Sequence, residues 1–171
     1  MNYFELYDIP ISLKVDANII KQKFYALSRK CHPDFFGNET DDEQAEALEK
    51  SSHINKAFKI FNSFDETIKY LLQLKGLMQE DEKYNLPSNF LMEVMEINEQ
   101  LQEAKMENDE EKIASCKLQV ASLNKEIYES VKEIVEYYQD DITSEKELLQ
   151  VKEYYYKKKY LDRIVSPSLN H

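Results

Sequence analysis

Only two glycines and four prolines interrupt this chain of 171 residues, at Pro10, Pro33, Gly37, Gly76, Pro87 and Pro167. Tight hairpin turns rely on glycine-containing dipeptides, so a chain this poor in glycine has few ways to connect antiparallel strands. Between the breakers, apolar residues recur at three- and four-residue spacing, which predicts an all-α fold. Charged residues make up 32% of the chain and apolar residues 42%, the balance expected of long helices with one buried and one solvated face.

The breakers divide the helical pattern. A short helix over Tyr3 to Asp8 ends before Pro10. Asp16 is placed to cap a second helix whose inner line runs Ile20, Phe24, Leu27, Cys31, and Pro33 stops it. A third helix opens at Asp41-Asp42-Glu43, where carboxylates favour the positive end of the helix dipole, and its inner face reads Ala47, Ser51, Ile54, Phe58, Phe61. A fourth, with Phe64, Ile68, Leu71 and Leu72, ends at Gly76. The polar stretch 77–87 reads as a linker between an N-terminal domain, 1–76, and a C-terminal domain, 88–171.

Three longer helices are predicted beyond the linker, near 88–107, 109–139 and 144–165. The first would bury Phe90, Val94, Ile97, Leu101 and Ala104; the second Ile113, Cys116, Val120, Leu123, Ile127 and Ile134. The third opens with Ser144 and Glu147 at capping-box spacing, then presents Leu148, Val151, Tyr155 and Leu149, Tyr156, Tyr160. Three apolar stripes on short connections make an antiparallel bundle.

A formal net charge of −11 disfavours nucleic acid and anionic membrane as partners of the whole molecule. Cys31 and Cys116 stand far apart with no CxxC pair, which supports neither a disulfide framework nor a structural zinc site, and no cofactor is expected. No apolar run approaches the roughly 18 residues needed to cross a bilayer. Met1-Asn2-Tyr3-Phe4 lacks the look of a leader, so a cytoplasmic setting is expected.

Against that acidic background, residues 16–31 hold Lys21, Lys23, Arg29 and Lys30 with Asp16 alone opposing them, a local net of +3. Such a contrast steers an acidic partner surface toward the helix. The helix runs directly into His32-Pro33-Asp34. Proline fixes its own φ and pushes the preceding residue out of the helical region, so the loop leaves the helix at a defined angle. His32 would donate or accept near neutral pH, and Asp34 would accept from a partner's arginine. A bare tripeptide could equally be a helix end and a turn. Its setting between a basic amphipathic helix and an acid-started one favours a displayed polar pin.

Cys31 falls on the apolar line with Phe24 and Leu27 and is read as a packing residue rather than a nucleophile. His53 is expected at the surface, and His171 has no partner in sequence. In Tyr154-Tyr155-Tyr156-Lys157-Lys158-Lys159 the tyrosines should divide between core and surface, leaving a solvated helix face rather than a nucleic-acid site. On the helix near 88–107, Leu91, Met92 and Met95 lie outside the core line, and Met92, Glu96, Glu99, Glu103 form one ridge, apolar at its start and acidic onward. That ridge suits a partner with a hydrophobic spot beside basic residues; a broad face buried against two neighbouring helices is the alternative that spacing leaves open.

Residues 1–75 resemble a J domain, with His32-Pro33-Asp34 between its second and third helices. The resemblance extends further. Tyr3-Phe4-Glu5-Leu6, His32-Pro33-Asp34-Phe35-Phe36, Ile54-Asn55-Lys56-Ala57-Phe58, Tyr70-Leu71-Leu72-Gln73-Leu74-Lys75-Gly76 and Phe90-Leu91-Met92-Glu93-Val94-Met95-Glu96 resemble the HscB family, co-chaperones of iron–sulfur cluster assembly. It departs at Ser63-Phe64-Asp65-Glu66, where many relatives have a proline and an arginine. The resemblance implies that the chain has no active site of its own. Its J domain would engage a DnaK/HscA-type ATPase chaperone through His32, Pro33 and Asp34, with Lys21, Lys23, Arg29 and Lys30 contributing charge. Its C-terminal domain would hold the cluster scaffold IscU through Leu91, Met92, Met95, Glu96, Glu99 and Glu103, with Tyr156 supplying an aromatic from the last helix. A J-domain adaptor for other clients, an enzyme using Cys31 or His32, and a passive helical scaffold are the competing readings.

Overall fold

The computed structural model describes residues 1–165 and 167; His171 and the rest of the expected C-terminal domain's end lie outside them. Among the described residues there are eight α-helices, one 3-10 turn and no strand. The helices are α1 (Tyr3–Leu6), α2 (Ala17–Cys31), α3 (Asp41–Phe61), α4 (Phe64–Leu74), α5 (Ser88–Met106), α6 (Glu110–Glu129), α7 (Lys132–Glu136) and α8 (Glu145–Ile164), with the 3-10 turn at Pro33–Phe36. No helix among them is long and apolar enough to cross a membrane. The contacts separate two compact units: Met1–Lys75 with Tyr138–Ile142, and Gly76–Tyr137 with the described residues from Thr143 on.

In the first unit α2 and α3 form a helical hairpin whose facing aromatics, Phe24 and Phe58, stack with ring centroids 4.0 Å apart. Asp16 caps α2 as expected, accepting from the Asn18 and Ile19 amides. The short α1 could not persist alone, since helix nucleation is unfavourable and four residues repay little of it. Tertiary contacts hold it: Phe4 and Tyr7 are fully buried against Phe61, and the Tyr3 amide donates to the Tyr70 hydroxyl at 2.9 Å. The Tyr7 hydroxyl donates to the Ile54 carbonyl at 2.7 Å, and burial pushes that phenol well above its ordinary range. Tyr7→Phe should therefore lower stability by about 1 kcal/mol, read as a shifted urea midpoint at unchanged slope.

Ser63, at the departure from the family pattern, caps α4 by accepting from the Glu66 amide. The buried Thr67 hydroxyl sits 2.8 Å from the Ser63 carbonyl and 2.9 Å from that of Ile60, closing the corner without proline. Gly76, at φ +74°, takes the left-handed position that ends a helix without a Cβ penalty.

The second unit buries Phe90, Val94, Ile97, Leu101 and Ala104 of α5 as the spacing predicts. The expected helix over 109–139 is instead broken. The Ser130 hydroxyl donates back to the Ile127 carbonyl at 2.7 Å, Val131 leaves the helical region at φ −123°, ψ 0°, and the short α7 restarts beyond it. The break changes which side chain faces inward: Val131 and Val135 are buried, whereas Ile134 is only half-buried. On α8 the Ser144–Glu147 capping box forms, and Leu148, Val151, Tyr154, Tyr155 and Leu161 are buried while Leu149 is exposed. Tyr154 and Leu161 belong to the core as fully as the residues foreseen for it.

Candidate functional site

The His32 turn is built from both flanking helices. Arg29 and Lys30 occupy the last turn of α2, where cations complement the negative end of the dipole. His32 is its C-cap at φ −65°, ψ 131°, the extended conformation that a following proline enforces. Pro33 opens the 3-10 turn, which is closed by the Phe35 amide donating to the His32 carbonyl at 3.0 Å. From the other side Thr40 and Glu43 form a capping box at the start of α3, and the Gln44 side-chain amide donates to the Gly37 and Glu39 carbonyls. The Thr40-x-x-Glu43 spacing was available in the sequence; the Gln44 tether was not.

His32 and Asp34 are both exposed. The Asp34 amide donates to His32 Nδ1 at 3.2 Å, so that nitrogen accepts and the neutral ring carries its proton on Nε2. The Asp34 carboxylate lies 3.5 Å from the same nitrogen. An ion pair there would require a protonated Nδ1, which can no longer accept the hydrogen bond from the Asp34 amide, so the two contacts are alternatives. With Nε2 as donor and Asp34 as acceptor, the turn offers one of each to a partner.

The four expected cations do not share one face. At about 100° per residue, Lys21, Tyr25 and Arg29 follow one another on a single ridge, while Lys23 and Lys30 lie on the opposite flank. Lys23 is also partly engaged, 3.9 Å from Asp8. Cys31 is buried, as its place on the apolar line requires, and His53 is exposed, 3.7 Å from Glu49 one turn earlier.

On α5 the alternative that spacing left open is resolved for the methionines. Met92 is 71% exposed and Met95 45%, so neither belongs to the core, whereas Leu91 is half-buried. Glu96, Glu99 and Glu103 are exposed along the same helix. Tyr156, on α8, is engaged within the fold. It is half-buried, its ring stacks on Tyr84 with centroids 4.7 Å apart, and its hydroxyl donates to Glu82 at 3.2 Å. Burial, with the Glu82 carboxylate behind it, pushes its phenol up to about 12. Lys152 adds an ion pair to Glu82 at 2.9 Å, so residues 82–84 are strapped to α8. The tyrosine run does not divide between core and surface: Tyr154 and Tyr155 are buried and Tyr156 half-buried. Lys157 and Lys159 are half-buried too, lying over the rings of Phe90 and Tyr155.

A helical hairpin that carries His-Pro-Asp at the end of its basic helix defines a J domain, here followed by a separate helical domain. A family model described as "HSCB C-terminal oligomerisation domain" matches residues 86–166. The iron-sulfur cluster co-chaperone protein HscB of Homo sapiens is 34% identical over 155 residues, 90% of this chain and 64% of that protein. The co-chaperone protein HscB of Buchnera aphidicola is 38% identical over 109 residues, 63% of each chain. Among solved structures, human co-chaperone HscB matches at TM-score 0.69 and 30% identity over 95% of this chain and 81% of that one. Chaperone HscB from Vibrio cholerae shares the fold at TM-score 0.74 and 23% identity, over 98% of this chain and 95% of that one. The chain belongs to the HscB family, and it spans just under two thirds of the length of these curated relatives.

Proposed function

We propose that the chain is a co-chaperone of iron–sulfur cluster assembly, which stimulates ATP hydrolysis by a DnaK/HscA-type chaperone and brings it the cluster scaffold IscU. The observation that carries the reading is the His32-Pro33-Asp34 turn at the end of a basic helix, with His32 and Asp34 exposed and caps on both sides. The turn holds a donor and an acceptor in fixed relation, while the cations of α2 speed encounter with an acidic surface. The second surface is the Met92-to-Glu103 ridge of α5, an adaptable apolar start followed by carboxylates that suit a basic scaffold. Nothing in this activity requires bond chemistry at the chain's own side chains; it biases a conformational equilibrium in the partner.

The test is steady-state ATP hydrolysis by the DnaK/HscA-type ATPase of the same organism, with and without the chain and its IscU-type scaffold. Stimulation of about fivefold or more is expected from the chain, and more when scaffold is added. A saturating chain that leaves the rate unchanged would overturn the reading. Stimulation without capture of the scaffold would support the adaptor alternative.

A further inference from the structure

Two large aromatics stand in solvent, one in the His32 turn and one on the basic helix that leads into it. Phe35 is 71% exposed and Tyr25 is 53% exposed. Single exposed apolar residues, such as Leu48 and Leu118, are ordinary. Phe35 and Tyr25 differ because Phe35 packs against the proposed trigger and Tyr25 lies two turns back on the ridge of α2 that leads to it. The Phe35 amide is bonded to the His32 carbonyl, and its ring meets the His32 ring edge-on, centroids 6.2 Å apart. Tyr25 lies between Lys21 and Arg29 on one ridge of α2. Its ring contacts Phe24, which is itself stacked on Phe58 of α3, so a rigid layer supports it. Lys21, Tyr25 and Arg29 follow one ridge of α2 that runs toward His32, against which Phe35 packs, giving one strip that mixes cations and aromatics.

We propose that Phe35 and Tyr25 are apolar anchors of the chaperone-facing surface, so that the ATPase partner must present an apolar recess beside its acidic patch. The inference rests on the co-chaperone reading and deepens it. Cations set the encounter rate and are screened by salt, whereas a buried aromatic sets the lifetime of the complex and is not. The strip thus selects among ATPase chaperones: an acidic surface without the recess would be approached quickly and released quickly.

The deciding measurement is the chain concentration that gives half-maximal ATPase stimulation, with the DnaK/HscA-type chaperone of the same organism as partner. Phe35→Ala should raise it about tenfold while maximal stimulation is retained, the cost typical of truncating an interface aromatic. The deficit should persist at high salt, where that of Lys21→Ala fades. Phe35→Lys gives the sharper contrast, because it adds a cation to the strip. If attraction were purely electrostatic this variant would match or surpass the wild type; an anchor predicts that it weakens like Phe35→Ala. Tyr25→Ala should show a smaller loss of the same kind. Helical content and melting should not move, since both side chains face water. Wild-type half-maximal concentrations for both Phe35 variants would overturn the proposal, as would lost maximal stimulation at unchanged concentration, which would mean that Phe35 acts only through His32. Failure of the wild type to stimulate at all would instead refute the co-chaperone reading and remove the anchor with it.

Discussion

Replacing His32 with glutamine is expected to abolish stimulation of the ATPase partner, leaving the basal rate even at saturating chain. Glutamine offers a carboxamide of similar reach and could still accept from the Asp34 amide through its carbonyl oxygen. What it loses is the flat ring that accepts at Nδ1 while donating from Nε2, and the capacity to take up a proton. The cations of α2 remain, so the complex should still form. The defect should therefore fall on maximal stimulation rather than on the half-maximal concentration, the opposite pattern to that expected for Phe35→Ala. Because His32 is exposed and its ring makes only the local bond from the Asp34 amide, which the glutamine carbonyl oxygen could replace, stability should change by no more than about 0.5 kcal/mol. Single-turnover ATP hydrolysis together with a thermal melt separates the two effects. Full stimulation by a folded His32→Gln variant would remove the trigger assignment; a variant that melts far below the wild type would show the imidazole to be structural.

Much of this fold could be read from where the chain lacks glycine and where single residues stop a helix. Asp16, Ser144 and Glu147 cap as their spacing foretold, because a cap is a local bond between residues two or three apart. Periodicity also placed the core of α5 correctly. It failed at Ser130, where a hydroxyl bonded to the Ile127 carbonyl breaks a stripe that looks continuous, and so Val135 takes the inward place expected of Ile134. It put Tyr156 on an apolar line of the last helix but could not supply its stacking partner, Tyr84, which lies in a stretch that reads as polar linker. Nothing local couples two aromatics so far apart in sequence. The cations of α2 show a further limit: helical spacing puts Lys23 and Lys30 on a different flank from Lys21 and Arg29, but only the fold brings Asp8 within 3.9 Å of Lys23. The Met92 and Met95 positions were undecidable by spacing, since a core stripe wider than 100° would have swallowed them. Solvent exposure decided them.

That exposure makes the α5 ridge open to a clean test. Met92→Ala combined with Met95→Ala should weaken binding of the purified IscU-type scaffold by about a hundredfold, the product of two anchors each contributing somewhat over 1 kcal/mol. Titration calorimetry would measure it, and ATPase stimulation by the chain without scaffold should be unchanged, because α5 is not part of the His32 turn. Leu91 is left in place deliberately: it is half-buried, so its truncation would mix lost packing with lost contact. Melting of the double variant should stay within about 2 °C of the wild type, as neither methionine fills the core. A collapse of the melt would mean that these side chains support the bundle after all. A wild-type affinity would mean that the scaffold docks elsewhere. Glu96→Gln, Glu99→Gln and Glu103→Gln together should act differently, slowing association at low salt and losing that effect as salt rises, because exposed carboxylates steer a basic partner more than they hold it. The two sets of variants thus divide the ridge into the part that finds the scaffold and the part that keeps it.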